Sequence, residues 1–184
     1  MPPVLSGCFS ATGFFISLYL QYLKGFGPEA AGLILIAQPA VQTALSPMAG
    51  RLSDSIEPRI VASAGMGLCV LCLLLFARLL PQTPLEIILA GLVLMGVGFA
   101  LFASPNTNAI MSSVHPSDYG VASGMVSTMR LIGQAVSVAI ATMIIDLYVG
   151  SAQLTPAVAE QLQKSANVAF IVFAVTCVGG VFAS

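Results

Sequence analysis

The chain has 184 residues, 58% of them apolar and only 7% charged, with a formal net charge of −1. Ordinary soluble domains carry roughly a quarter charged residues, so these proportions exclude a water-facing globule and point to a lipid environment. Uncharged runs at 1–23, 30–50, 60–77, 87–117, 131–145 and 165–184 are mostly long enough for a helix of about 20 residues to cross a hydrocarbon core of about 30 Å.

The runs predict six membrane-spanning helices, at 4–23, 32–49, 59–80, 85–114, 120–148 and 167–183, within a single all-α domain over 1–184. Strands are excluded as the main architecture, because lipid tolerates them only in closed barrels and no series of alternating ten-residue segments occurs. After the first span, Lys24-Gly25-Phe26-Gly27-Pro28-Glu29 reads as a tight turn. The second span carries Gln38 and Gln42 one helical turn apart, flanked by Pro39 and Pro47. Amides in a membrane need partners, so this pair is read either as interhelical hydrogen bonding or as cavity lining.

Between the second and third spans, residues 50–59 hold Arg51, Asp54, Glu57 and Arg59, four of the thirteen charged residues in the chain. Such a cluster can hold helix ends together in one state and release them in another. It also fits a short hairpin that keeps two helix ends in the headgroup region. The third span contains Cys69 and Cys72, and Pro81-Gln82-Thr83-Pro84 then turns the chain into the fourth. There Ser104, Asn108 and Ser112 follow one another at i, i+4 around Pro105. His115-Pro116-Ser117-Asp118 ends that helix, with Asp118 expected to cap the next.

On the fifth span Ser123, Ser127, Arg130, Gln134 and Ser137 fall within roughly an 80° arc at about 100° per residue. Arg130 stands about 18 Å from Asp118 along a helix axis rising about 1.5 Å per residue. An Arg at mid-membrane costs about 2.5 to 3.5 kcal/mol on insertion scales and is tolerated beside a partner or a water-filled cavity. Ser127, Arg130 and Gln134 are therefore read as cavity lining, against an interfacial Arg that snorkels to the headgroups. Residues 150–164 form the longest connection, with a helix-like stretch at 157–163 that could lie on the surface.

Three motif regions then carry a resemblance. Gly50-Arg51-Leu52-Ser53-Asp54 followed by Arg59 resembles a loop signature of the major facilitator superfamily, with Ser55 and Glu57 departing from its usual residues. Ser104-Pro105-Asn106-Thr107-Asn108, Gly120-Val121-Ala122-Ser123-Gly124 and Arg130-Leu131-Ile132-Gly133-Gln134 resemble late helices of its fourteen-helix drug:proton antiporter branch. Leu18-Tyr19-Leu20-Gln21-Tyr22 resembles the helix that opens the second half there. The resemblance implies a C-terminal six-helix bundle of the major facilitator fold in the cell membrane, with both termini and residues 50–59 cytoplasmic. Basic residues by themselves split two to three between the faces and do not orient the chain.

The expected function is half of a secondary transporter, exporting drugs by proton antiport, with a small-molecule substrate. Its cavity would be lined by Arg130, Gln134, Ser127, Gln38 and Gln42, and its gate loop formed by Gly50, Asp54 and Arg59. Since no Asp or Glu lies deep in a span, the proton-carrying carboxylate is expected in a second six-helix half. That half would come from a longer reading frame, favoured by the end of the chain inside an apolar run, or from a homodimer. The alternative is a non-transporting bundle that binds another membrane protein. No enzyme, cofactor, metal or nucleic-acid role is expected: the CxxC lies inside a span, His115 is the sole histidine, and no Gly-rich phosphate loop precedes a helix.

Overall fold

In the computed structural model, which describes residues 2–80, 82–149 and 159–182, all regular structure is helical and forms six rods. The first rod is α1 (Pro2–Leu18), running without a break into a π-helical turn, Tyr19–Leu23. The wider ladder closes with the Lys24 N–H donating to the Tyr19 carbonyl at 3.2 Å. Gly25 then reverses the chain at φ 71°, a backbone region that costs glycine little.

The second rod is divided into α2 (Pro28–Leu35) and α3 (Ala37–Ser55), with Ile36 at the break. Pro39 is the cause, since it lacks the N–H that the Leu35 carbonyl would accept in a continuous helix. The ladder resumes with Ala40 N–H donating to Ile36 at 3.0 Å. This rod runs past the expected end at residue 49, so Gly50 to Ser55 is helix and the connection shrinks to Ile56 and Glu57. The helix ends where Ile56 turns extended, at φ −123° and ψ 149°; Glu57 follows at ψ 121°, as suits a residue before proline, and Pro58 occupies the first turn of α4 (Pro58–Phe76).

The fourth rod is α5 (Leu85–Ser112), which keeps Pro105 buried within it. A 3-10 turn, Pro116–Asp118, leads into α6 (Tyr119–Val149). Asp118 belongs to that turn and accepts the Ser117 hydroxyl at 3.2 Å. The last rod, α7 (Ala159–Phe182), begins eight residues before the expected sixth span. From residue 159 the stretch read as a surface helix is the first turns of α7, because Leu162, Ser165 and Ala166 are buried against the bundle. Residues 150–158 lie outside the described part. Among the described residues, five of the rods are long and apolar enough to cross a membrane.

Packing joins α1 to α6 and α3 to α5, the same relation with the two triplets of rods exchanged, while α4 sits between α5 and α7. Apolar association gains little inside lipid, so close packing must hold such a bundle. Phe15, Phe76 and Phe170, from α1, α4 and α7, are fully buried, with Phe170 5.8 Å from each of the other two ring centres. Glycines let backbones touch elsewhere. A Cβ on Gly65 of α4 would stand 2.6 Å from the Gly98 carbonyl of α5, and one on Gly98 2.9 Å from the Gly65 carbonyl. At one end of the bundle Tyr19 Oη donates to the Leu80 carbonyl, Gln163 Nε2 donates to Leu79 at 2.9 Å, and Thr83 Oγ1 accepts from Leu80 N–H at 2.9 Å. These bonds tie the first, third and sixth rods together.

Candidate functional site

α6 touches the bundle along a narrow stripe, burying Val126, Gly133, Ser137 and Ala141 at spacings of seven, four and four. Gly133 and Ser137 meet α1 closely: a Cβ on Gly7 would stand 2.5 Å from the Gly133 carbonyl and 2.0 Å from Ser137 Oγ. The polar arc read from the sequence lies on the flank of this stripe. It enters the interface at Ser137, is half-buried at Gln134 and Arg130, and is exposed at Ser127 and Ser123. The drift follows from helix geometry, since a polar arc about 80° wide overlaps the buried stripe without coinciding with it. Among the described residues, Arg130 has neither an ion pair nor a hydrogen bond. Arg130 is half-buried, and an arginine can lay its apolar stem along apolar surface while its guanidinium stays outside.

The second group sits on α3. Gln38 is 3% exposed at the crossing with α5, its carbonyl 2.7 Å from where a Gly96 Cβ would be. Its Nε2 is buried without a hydrogen-bond partner. Gln42, one turn on, is half-buried. Next to Gln42, Thr43 Oγ1 donates to the Pro39 carbonyl at 2.8 Å, which occupies a lone pair at a kinked segment. Ser127, Arg130 and Gln134 therefore share α6, and Gln38 and Gln42 share α3. The two groups are not drawn into one cluster, because α3 packs on α5 and α6 on α1.

Gly50, Arg51 and Arg59 stand at the end of the bundle where α3 meets α4. Gly50 faces α5, where an added Cβ would lie 3.2 Å from Ser104 Oγ, and its carbonyl accepts from Ser53 Oγ at 2.9 Å. Arg51, Glu57 and Arg59 are exposed. Asp54 lies in the last turn of α3, and its side chain lies outside the described part. Beyond Pro105, Asn106 is half-buried and Asn108 exposed.

The donors on offer are a guanidinium and primary amides, which bind polar or anionic acceptors. Asp146 and Glu86 are exposed near helix ends, so neither is a buried proton carrier. Several residues that shape the site escaped the sequence reading. Gly7, Gly96 and Gly98 set how closely the rods approach, yet isolated glycines carry no periodic signal. Asn167 on α7 buries its Oδ1 without a partner among the described residues; its signal is an amide at the start of an apolar run, the position at which the sequence places the start of the sixth span.

A family model described as Major Facilitator Superfamily matches residues 4–184. The chain is 30% identical over 129 residues to the riboflavin transporter RibZ of Clostridioides difficile, covering 70% of this chain and 28% of that protein. It is 33% identical over 135 residues to the uncharacterized transporter YebQ of Escherichia coli, covering 72% and 29%. It is also 33% identical over 139 residues to the multidrug resistance protein Stp of Mycobacterium tuberculosis, covering 75% and 25%. The chain thus spans less than a third of the length of each of these relatives.

Proposed function

The chain belongs to the Major Facilitator Superfamily and is a multi-pass integral protein of the cell membrane, and from this premise we propose that it forms half of a drug-exporting proton antiporter. The second six-helix half comes from the rest of a longer chain or from a second copy. Between the halves, Ser127, Arg130 and Gln134 on α6 face the substrate from one side, and Gln38 and Gln42 on α3 from another. Gly50, Asp54 and Arg59 form the cytoplasmic gate, with Gly50 giving α3 and α5 the close approach that the closed state needs.

The observation that carries this reading is Arg130, a charged side chain well inside a 31-residue apolar helix, half-buried and without a partner among the described residues. Keeping it there is costly unless water or a substrate meets it. The orphaned Nε2 of Gln38 supports the same view, since a buried donor left unpaired costs about 1 to 3 kcal/mol. The proton step is assigned to a carboxylate in the other half.

The test is Arg130→Ala in the full-length transporter, read as ethidium efflux from inverted vesicles at matched protein levels. Efflux falls at least about tenfold, a barrier rise of about 1.4 kcal/mol, with membrane insertion unchanged; unchanged efflux would overturn the cavity assignment. A second substrate class is favoured by the similarity to RibZ and by the run of amides. It is a polar, hydroxyl-rich aromatic such as riboflavin. Protection of a cysteine placed at position 42 by riboflavin but not by ethidium would select that class.

A further inference from the structure

The exposed side of α4 carries a feature apart from the residues proposed above to serve transport. Leu71, Leu74, Leu75 and Arg78 follow at i, i+3, i+4 and i+7, so they share one face of the helix and its C-terminal turn. Together they line a groove of about 420 Å³. The three leucines are 56%, 47% and 37% exposed. On the opposite face Cys69, Cys72, Leu73 and Phe76 are buried against α5 and α7, which fixes the wall of the groove. Cys72 Sγ donates to the Gly91 carbonyl of α5 at 3.0 Å and adds to that fixation.

Arg78 closes the groove at the end where the apolar run stops. Its N–H donates to the Leu75 carbonyl at 3.1 Å, and the two residues after it are held through their carbonyls by Gln163 and Tyr19. The backbone that bears the guanidinium is therefore pinned from two other rods. The side chain is exposed and, among the described residues, has no ion pair, although Glu86 lies on the first turn of α5 at the same end. Lys164, next to Gln163, adds a second basic residue there. By contrast, the groove on α6 lined by Val121, Gly124, Met125, Thr128, Met129 and Ile132 has no charged residue.

We propose that this face of α4 binds one anionic phospholipid, with its phosphate on Arg78 and an acyl chain lying along Leu71, Leu74 and Leu75. Arg78 stands about 5 Å along the axis from Leu75, at about 1.5 Å per residue. A phosphate likewise sits above the first acyl carbons. Guanidinium suits phosphate through paired donors, and the fixed apolar wall removes part of the ordering cost that a flexible surface would impose.

The test is native mass spectrometry of the full-length protein in detergent, titrated with dioleoylphosphatidylglycerol or dioleoylphosphatidylcholine. One phosphatidylglycerol binds in preference to phosphatidylcholine. Arg78→Gln weakens it about fivefold, the size expected for one basic residue at a membrane surface. Arg78→Lys keeps most of the affinity, and Lys24→Gln, at the same end on another rod, leaves it unchanged. Leu71→Ser with Leu75→Ser weakens phosphatidylglycerol binding although Arg78 is intact. Equal binding of the two lipids, or no change in Arg78→Gln, would mean that Arg78 only snorkels to whichever headgroups are near. Displacement of the lipid by free glycerol phosphate would reduce the site to an anion contact and also overturn the proposal.

Discussion

The crossing of α4 and α5 allows a stability prediction with an internal control. Gly65 and Gly67 lie two residues apart on α4, and replacing either by Ala raises intrinsic helix propensity by up to about 1 kcal/mol. Around Gly67, which is exposed, an added Cβ meets nothing within 4 Å, so Gly67→Ala is neutral or stabilises by about 0.5 kcal/mol. At Gly65 the new Cβ meets the Gly98 carbonyl at 2.6 Å and the Phe102 nitrogen at 2.8 Å. Both obstacles are backbone, so no rotamer change relieves them. Reaching ordinary contact requires α4 and α5 to part by about 0.8 Å, and a gap of that size forfeits a quarter to a half of each dispersion well along the seam. Overpacking of this kind costs about 1 to 3 kcal/mol, which exceeds the propensity gain. Gly65→Ala is therefore expected to be destabilised by about 1 to 2 kcal/mol, measured as the midpoint of SDS-induced unfolding from mixed micelles by circular dichroism. If both variants move in the same direction, or Gly65→Ala unfolds later than wild type, the close backbone contact is not what holds this crossing.

Gly7→Ala should loosen the α1–α6 crossing, seen as earlier unfolding in the same titration, with Gly7→Ala/Ser137→Gly recovering part of the loss because Ser137 Oγ is the nearest obstacle. Gln38→Leu removes a buried amide with an unpaired Nε2, so stability holds or rises by up to about 1 kcal/mol while transport falls. Transport at the wild-type rate would remove Gln38 from the cavity. Tyr19→Phe and Gln163→Ala each lose one inter-rod hydrogen bond and should cost about 0.6 kcal/mol, the average for such bonds in a membrane, read again as the SDS midpoint. In a Cys8→Ser background, the buried Cys69, Cys72 and Cys177 should resist a membrane-permeant maleimide until SDS is added, as followed by intact mass.

Lipid solvation makes the number of rods and their approximate extents readable from charge spacing, because a charge interrupts a span wherever it falls. Boundaries moved where the backbone, not hydropathy, decides them. The helix through Gly50 to Ser55 continued because nothing there lacks an N–H, and it ended where Ile56 turned extended, two residues before Pro58. The first turns of α7 look like surface because Gln161, Gln163 and Lys164 are polar; burial of Leu162 and Ser165 beside them depends on the neighbouring rods, α4 among them, being alongside. The polar arc on α6 was visible as a period. How far each of its members is buried was not, since that depends on which side α1 approaches.

What the sequence determined by itself is the class of molecule and its family, because composition sets the solvent and short motifs survive without knowledge of contacts. Only the tertiary structure decided which small residues touch: Gly65 against Gly98, Gly96 beneath Gln38, and Gly7 against Gly133 and Ser137. The tertiary structure also separated the amides of α3 from the arginine of α6 by giving each helix a different partner. A glycine allows close approach but does not select the partner. That selection lies in the fit of two helix surfaces, which exists only once both are in place.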